Sequence, residues 1–510
     1  MCPGAGAAWY ATGEFVKTSR WSQAWPGIAL WTAGAACLAV QVLLPGFIGI
    51  ANNGDFGKVY AWLCLAPRGA ETNFTHFQPD YVWLARNYWN SPYHSSESTL
   101  AWLATRIAGA THEGAAFDIR WLGALHAALC LAALAALLAS LRNRGWRVQA
   151  VSAVLPLVVF TDVCYTAYLN SFYMDAAALS GLLLMTAAAV WMTARWDHGC
   201  NSVGQPIMAA AGFRAGAWTR WKARPQARLP APHGLPLSVF VLAALLFVTS
   251  KSQHAVWMGL PAALLIAWGF QWKARWRAVA CSAAGLVLLA GAGILTTTDA
   301  AYRGEALFNV VFFRLGPAGA DLQSLGVAPE ELRYRGMHSY VPGAPTSNAE
   351  WSAEFGRRTG FARLMGWYAR HPGSTLGFLW KTLTVGGPEM RQSNLSNFRA
   401  ADGRAPGART QRFAVWSNFR AWLLRRWPWH LPVWYVVFLA GCLAIRSPLA
   451  WVAMGIAVLG LGEFALAALG DSLDAGRHLF LFHAATDLTF CFAATWLLQK
   501  GLPKTIRHTP

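Results

Sequence analysis

The stretch Asn52-Asn53-Gly54-Asp55-Phe56-Gly57-Lys58 follows directly after the first long apolar run of the chain, residues 27–50. The Asn-Gly pair predicts a tight turn, because Gly adopts positive φ easily and Asn tolerates the left-handed region. An acid just beyond a membrane-spanning helix lies at the boundary between water and lipid, where it can be ionised and still reach a lipid headgroup. The stretch is therefore either a polar stop after a helix or part of a site that acts on lipids.

Composition indicates a membrane protein. Of the 510 residues, 55% are hydrophobic and only 13% are charged, and the mean hydropathy is +0.32. Several apolar runs approach the roughly 20 residues that cross about 30 Å of hydrocarbon. Because helices satisfy every backbone polar group within one segment, we predict an all-α, polytopic transmembrane helix bundle of about ten spans. The predicted spans are 27–50, 120–141, 149–168, 174–194, 235–250, 255–270, 278–298, 431–446, 448–470 and 478–499.

The basic residues predict the orientation of these spans. A net charge of +19 would indicate nucleic-acid binding in a soluble protein, but here much of this charge lies in short loops and the tail. With ten spans and a cytoplasmic N-terminus, the basic segments all fall on one side, as the positive-inside rule requires. We therefore expect both termini in the cytoplasm and no nucleic-acid partner. These segments are 142–148, 195–234, 271–277 and the tail after 499.

Two long loops are expected on the opposite face. They divide the chain into an N-terminal transmembrane module, a loop region with amphipathic helices, and C-terminal transmembrane helices with a cytoplasmic tail. The predicted ranges are 1–298, which includes the first loop 51–119, then 299–430 and 431–510. Amphipathic stretches at 100–107, 364–371, 375–383 and 420–427 are typical of helices lying in the membrane interface. The cytoplasmic segment 199–234, rich in Pro, Ala and Arg, is interpreted as a flexible linker.

Polar residues occupy four turns that this topology brings to the outer face. Asp55 is in the first; the others contain Asn170-Ser-Phe-Tyr-Met-Asp175, Lys251-Ser-Gln-His254 and Asp474-Ala-Gly-Arg-His478. Charges inside a membrane cost about 2.5–3.5 kcal/mol each on insertion scales, so ionisable residues near spans are functional candidates. Each also has an ordinary explanation: Asp175 could cap a helix, Lys251 could snorkel, and the histidines could be satisfied interface residues. It is less expected that such explanations account for all four turns together.

A carboxylate beside basic side chains suits group transfer from a lipid phosphate. The carboxylate can take a proton from an acceptor hydroxyl, while cations offset charge on the departing phosphate. Arg offers two parallel hydrogen bonds to phosphate and Lys a mobile charge. The sequence contains no HExxH, no GxxxxGK[ST] and no Cys/His spacing of a metal site, so we predict neither a metal nor a cofactor.

The chain resembles the GT-C class of membrane glycosyltransferases. The likeness rests on Asp55 in the first outer loop, on the two long outer loops and on the number of spans. More closely, it resembles bacterial multispanning hexosyltransferases of glycan assembly in the segments 168–175, 251–254, 308–325 and 474–480. The resemblance implies a bacterial inner membrane, a polyprenyl-phosphate-linked sugar donor, and a glycan or lipid acceptor reached from the periplasm.

The resemblance also implies roles for residues. Asp55 would act as catalytic base or orient the acceptor, and Asp175 would be the second acid. The chain departs from the commonest pattern of two adjacent acids, because Phe56 follows Asp55. Candidate substrate-binding residues are Asn53, Lys58, Asn170, Tyr173, Lys251, His254, Arg477 and His478, of which the last two and Lys251 and His254 would bind the donor phosphate.

Three alternatives stay open. A polymerase or ligase using diphosphate-linked glycans would depend on Arg and His residues of the second loop, namely Arg357, Arg358, Arg370 and His371. A transporter or flippase would use polar groups near mid-membrane, for which Glu463 and Asp487 are candidates. A non-catalytic scaffold of envelope assembly would need no single outer acid.

Overall fold

The computed structural model describes most of the chain. The described residues are 20–60, 62–68, 74–86, 93–142, 144, 146–200, 234–272, 274–297, 300–391, 395–445, 447–470, 473 and 475–501. The predicted linker 199–234 lies almost wholly outside them, as does Asp474.

The described residues form twenty α-helices and three short β-strands. In the first half of the chain the helices are α1 (Arg20–Leu38), α2 (Gly57–Tyr60), α3 (Ser96–Ile107), α4 (Arg120–Leu141), α5 (Trp146–Phe160), α6 (Val163–Leu169), α7 (Met174–Cys200), α8 (Gly234–Val248), α9 (Ser252–Ala255) and α10 (Gly259–Gly269). In the second half they are α11 (Ala274–Thr297), α12 (Ala300–Phe308), α13 (Ala349–Arg358), α14 (Phe361–Arg370), α15 (Pro372–Lys381), α16 (Val415–Arg426), α17 (His430–Ile445), α18 (Pro448–Gly470), α19 (Ala475–His478) and α20 (Phe480–Gly501). The strands are β1 (Leu65–Pro67), β2 (Asp80–Trp83) and β3 (Ala116–Asp118). The predicted all-α helix bundle is confirmed.

The predicted number of ten spans is not confirmed. Among the described residues, six helices are long and apolar enough to cross a membrane, or up to eight if each of two bent pairs is one span. Two predicted spans, 235–250 and 255–270, contain the helices α8 and α10, which have only 15 and 11 residues. At 1.5 Å per residue these helices are about 22 Å and 16 Å long, which is short of the hydrocarbon thickness.

The bent pairs have local causes. The predicted span 149–168 is divided into α5 and α6, which meet at 67°, because the Asp162 carboxylate accepts the N–H of Cys164 at 3.0 Å and starts a new helix. The helices α16 and α17 meet at 105°. This second break separates the stretch expected at the interface, 420–427, from the apolar run expected to span.

Helix α7 lies at the centre of the bundle, since 94% of an 18-residue window within Met174–Thr193 is buried. It packs against α4 and α8, and small residues permit the close approach. A Cβ atom on Gly181 would lie 2.9 Å from the backbone nitrogen of Phe247 in α8. The first turn of this central helix carries Asp175.

The two long loops are folded. In the first loop, β1, β2 and β3 form a three-stranded antiparallel sheet in that order, with Ala66 opposite Val82 and Tyr81 opposite Phe117. Sequence analysis did not predict these strands, which are only three or four residues long. In the second loop, α12, α13 and α14 enclose a separate core around Phe308 and Phe312. A break at His371-Pro372 separates α14 from α15.

Candidate functional site

The turn 52–58 forms as its sequence predicts. The Asn52 side chain accepts the N–H groups of Gly54 at 2.8 Å and Phe56 at 3.1 Å, and Gly54 has φ of +110°. The Asn53 side chain accepts the N–H of Asp55 at 3.2 Å. Two asparagines therefore fix the backbone that presents the Asp55 carboxylate.

The Asp55 carboxylate lies between two cations. Lys58 Nζ is 2.6 Å from Asp55 Oδ1, and Arg477 forms an ion pair with Asp55 Oδ2. The Arg477 guanidinium also lies 5.6 Å from the ring centre of Tyr173 and 3.3 Å from Nε2 of His478. Burial lowers the pKa of Arg477 to about 10, and the adjacent Asp55 carboxylate opposes this shift, so Arg477 is a cation at neutral pH. We call these five residues the Asp55 cluster.

A second group surrounds Asp175 in the first turn of α7. Lys251 Nζ and His254 Nε2 each lie 4.0 Å from the Asp175 carboxylate. The side chains are 7% exposed for Asp175, 2% for Lys251 and 1% for His254. We call these three residues the Asp175 cluster. Both distances are longer than a hydrogen bond, so the three side chains form a loose, buried arrangement.

His254 is neutral at physiological pH. Burial, followed by the nearby charges of Lys251 and His478, lowers the pKa of His254 well below its ordinary value. Its ring is stacked on Phe247, and Nδ1 is 2.9 Å from the Ser250 hydroxyl. That hydroxyl donates to the Phe247 carbonyl, so Nδ1 carries the proton and Nε2 presents a lone pair.

The two clusters are neighbours. His478 of the Asp55 cluster acts electrostatically on His254 of the Asp175 cluster, and Tyr173, which contacts Arg477, is two residues before Asp175. The four polar turns expected on one face thus meet at one end of the bundle, which we call the site end. Whether Asp55 and Asp175 are catalytic, and the other residues substrate-binding, stays a prediction.

Two of the predicted substrate-binding residues hold the backbone. The fully buried Asn170 amide donates to the carbonyls of Val42 at 2.9 Å and Ile48 at 2.7 Å. The Tyr173 hydroxyl donates to the Ala51 carbonyl at 3.2 Å, and its ring packs edge-on against Phe56. These contacts tie the first turn of the site to α7, and for Asn170 they indicate a structural task.

Sequence analysis missed the buried pair Glu97 and His126, whose atoms Oε1 and Nε2 are 3.1 Å apart. Glu97 lies two residues after the helix-capping Ser95, and His126 is the only His, Asp, Glu, Lys or Arg in the run 121–141. A polar, titratable side chain within such an apolar run is the signal that could have identified the pair. Asp175, considered as a possible cap, is instead the second residue of α7.

The residues named for the alternatives have partners of their own. Arg358 pairs with Glu331 at 2.6 Å, and the ring of His371 stacks on Trp367. The other loop residues, Arg357 and Arg370, bond to Glu354 and the Gly366 carbonyl. In the bundle, Glu463 accepts from Gln253 at 2.6 Å, and Asp487 accepts from Tyr165 and Trp416 at 2.7 Å.

Within the described part of the chain, no group of three or more His, Cys, Asp or Glu side chains could hold a metal ion. The chemistry available at the site end is that of two carboxylates, the amines of Lys58 and Lys251, the guanidinium of Arg477 and the neutral imidazole of His254. This set can accept a proton, donate hydrogen bonds and offset negative charge.

Comparisons with known proteins give a family and a distant structural likeness. The family of the YfdI N-terminal transmembrane domain matches residues 17–215 and 223–509. No curated protein matches the sequence. The archaeal oligosaccharyltransferase AglB from Archaeoglobus fulgidus, in complex with an inhibitory peptide and a dolichol-phosphate, is 14% identical, with a TM-score of 0.39 over 94% of this chain and 51% of that one. The apo form of the Archaeoglobus fulgidus oligosaccharyltransferase is 12% identical, with a TM-score of 0.37 and the same coverage. The chain thus spans about half the length of these structures.

Proposed function

The chain belongs to the family of the YfdI N-terminal transmembrane domain, a GT-C-like family, and on that premise we propose that it transfers a hexose from a polyprenyl-phosphate donor to a glycan or lipid acceptor. The resemblance to the GT-C class noted in the sequence is confirmed by this membership, and the protein is a multi-pass membrane protein. The donor, the acceptor, the bacterial inner membrane and the periplasmic position of the site end belong to the proposal.

One observation carries the proposal: the Asp55 carboxylate is held by Lys58 and Arg477, and a second carboxylate with Lys251 lies beside it. Burying a charge in a membrane protein is costly, so buried charges are usually paired with one another or have a function. Across both clusters, three cations face two carboxylates. The excess of positive charge is complementary to the phosphate of a lipid-linked sugar.

The reaction follows from these groups. An acceptor hydroxyl oxygen attacks the anomeric carbon of the donor, and the bond from that carbon to the phosphate oxygen breaks. The polyprenyl phosphate leaves with the bonding electrons, and its negative charge is offset by Arg477, Lys58 and Lys251. The hydroxyl proton passes to the Asp55 carboxylate, with Asp175 assisting.

Phosphate binding would prepare Asp55 for this role. While both cations contact Asp55, its oxygens are engaged. A donor phosphate would compete for Arg477 and Lys58, since guanidinium and ammonium groups bind phosphate strongly. The Asp55 carboxylate would then be released toward the acceptor hydroxyl. His254, being neutral with a lone pair on Nε2, would accept a hydrogen bond from a sugar or acceptor hydroxyl rather than offset charge.

The experiment is the substitution Asp55→Asn, which removes the base and keeps the shape. We expect transfer of label from a radiolabelled polyprenyl-phosphate hexose to envelope glycans or lipids to fall by about 10²–10⁴-fold, the range for loss of a general base. Protein level and melting temperature in detergent should change little.

A matched control is Asp402→Asn. Asp402 pairs with Arg399 three residues away at 2.8 Å, as Asp55 pairs with Lys58, but it lies in the second loop. It should leave transfer unchanged. An Asp55→Asn protein with full activity would remove this mechanism. If Arg357→Gln abolished transfer and Asp55→Asn did not, the polymerase or ligase alternative would replace it.

A further inference from the structure

The fully buried carboxylate of Glu97 connects three elements of the bundle. Glu97 is the second residue of α3, and its side chain enters the bundle between α4 and α7. Oε1 lies 3.1 Å from Nε2 of His126 in α4, and Oε2 accepts the backbone N–H of Ala177 in α7 at 3.1 Å. The other ring nitrogen of His126 is 3.3 Å from the Ser180 hydroxyl of α7.

Residues 93–98 of the first loop, which include Glu97, also form hydrogen bonds to the turn that carries Lys251 and His254. The Ser96 N–H donates to the Thr249 carbonyl at 2.9 Å, and its hydroxyl donates to the Leu246 carbonyl at 2.7 Å. The Tyr93 hydroxyl accepts the N–H of Ser252 at 3.0 Å. Residues 93–98 therefore bond both to the start of α7 and to the end of α8, the two elements that form the Asp175 cluster.

Glu97, and not Asp175, accepts a backbone N–H in the first turn of α7. N–H groups in the first turn of a helix seek side-chain acceptors, and an Asp in that turn usually supplies one and interacts with the helix dipole. Among the described residues, the Asp175 carboxylate makes no hydrogen bond to its own helix. It faces Lys251 and His254 instead, while Glu97 serves the helix.

We propose that Glu97 is a positioning residue: by binding the first turn of α7 in place of Asp175, it keeps the Asp175 carboxylate turned toward Lys251 and His254. The consequence for donor binding rests on the function proposed above; the placement of Asp175 does not. Without Glu97, Asp175 can rotate to accept the N–H groups of its own helix, and the pairing of Asp175 with Lys251 is lost.

The test is a pair of double-substitution cycles on the purified full-length protein. The first measures the affinity for geranylgeranyl phosphate, a short prenyl phosphate. We expect Glu97→Ala to weaken binding about tenfold in the native background and to have no further effect in an Asp175→Ala background. Glu97→Gln, which keeps an acceptor for the Ala177 N–H, should restore affinity to within about threefold of the native protein.

The second cycle needs no ligand and measures melting temperature. Because Asp175 can replace Glu97 as the helix acceptor, Glu97→Ala should lower the melting temperature by about 2 °C more in the Asp175→Ala background than alone. Equal losses in both backgrounds would overturn the proposal. The control is Glu331→Ala, another buried Glu, which accepts from Trp351 and Arg358; its effect should be the same in both backgrounds.

The cycles separate the two proposals. A native protein that does not bind the prenyl phosphate, combined with unequal losses of melting temperature, would contradict the donor and retain the role of Glu97. A native protein that binds, combined with additive effects in both cycles, would retain the donor and reject the role of Glu97.

Discussion

The two carboxylates at the site end differ in how closely their basic neighbours approach them. Asp55 has direct contacts with both its cations, whereas Asp175 stands 4.0 Å from Lys251 and from His254. Opposite charges close together favour the ionised forms of both partners, and this effect weakens with distance. Asp175 is therefore beyond hydrogen-bond distance of Lys251 and His254, whereas the tight Asp55 cluster has to open before its cations can bind a phosphate oxygen.

Protonation of His254 should make stability depend on pH. The pKa of folded His254 lies well below its ordinary value, while the unfolded chain takes up this proton near pH 6.5. The unfolded state therefore binds more protons between these two pKa values, so stability is full above about pH 6.5 and falls as the solution is acidified. We expect His254→Gln to reduce the loss of melting temperature between pH 7.5 and pH 5.5, measured in detergent.

The control for this prediction is His112→Gln. His112 is exposed, so its removal should leave the pH dependence unchanged. A His254→Gln protein whose melting temperature falls as steeply as that of the native protein would show that other groups cause the acid sensitivity.

Packing of α4 against the turn that precedes α7 explains how the segment leading to the turn 52–58 is held. Gly123 in α4 faces Asn170, whose amide binds the carbonyls after α1. A Cβ atom on Gly123 would lie 2.6 Å from Val42 Cγ1 and 3.0 Å from Asn170 Cγ. Neither group can retreat easily, because both are buried and Asn170 is held by its hydrogen bonds.

We therefore expect Gly123→Ala to destabilise the protein by about 1–3 kcal/mol, as overpacking usually does, and to weaken transfer by shifting Asn170 and the turn that carries Asp55. Melting temperature and transfer would be measured together. Gly285→Ala in α11 is the matched control, since a Cβ atom there would meet no atom within 4 Å. If both substitutions changed melting temperature and transfer equally, the close contact at Gly123 would not be important for stability or activity.

The orientation of the whole molecule in the membrane is testable with two engineered cysteines. In a variant whose nine native cysteines are replaced by Ala, we expect Ser324→Cys in the second loop to react with a membrane-impermeant maleimide in intact spheroplasts. Gln271→Cys, in the turn before the basic residues of α11, should react only after permeabilisation. The physical reason is the positive-inside rule, which retains basic turns in the cytoplasm.

Both positions are exposed in the fold, so a failure to react reports on the membrane rather than on burial. The reverse labelling pattern would turn the site end toward the cytoplasm. A donor presented in the periplasm would then be incompatible with the site.

The apolar runs alone were enough to predict the helix bundle, and Asn52 with Gly54 was enough to predict the turn before Asp55. Both depend on local physics: apolar segments in lipid must be helical, and a side-chain amide next to Gly closes a turn. Likewise, the break at His371-Pro372 follows from the steric effect of Pro on the residue before it. Asp55 after the first span, together with the two long outer loops and the number of apolar runs, pointed to the GT-C class.

Only the tertiary structure decided where helices end and which charges meet. The length of an apolar run does not reveal that Asp162 starts a new helix. Nor does it reveal that α8 and α10 are too short to be full spans. The ion pair of Arg477 with Asp55 joins residues more than 400 positions apart, and the bond from Glu97 to Ala177 depends on a loop helix entering the bundle. Such contacts arise from packing between distant segments, for which the order of residues along the chain carries no local signal.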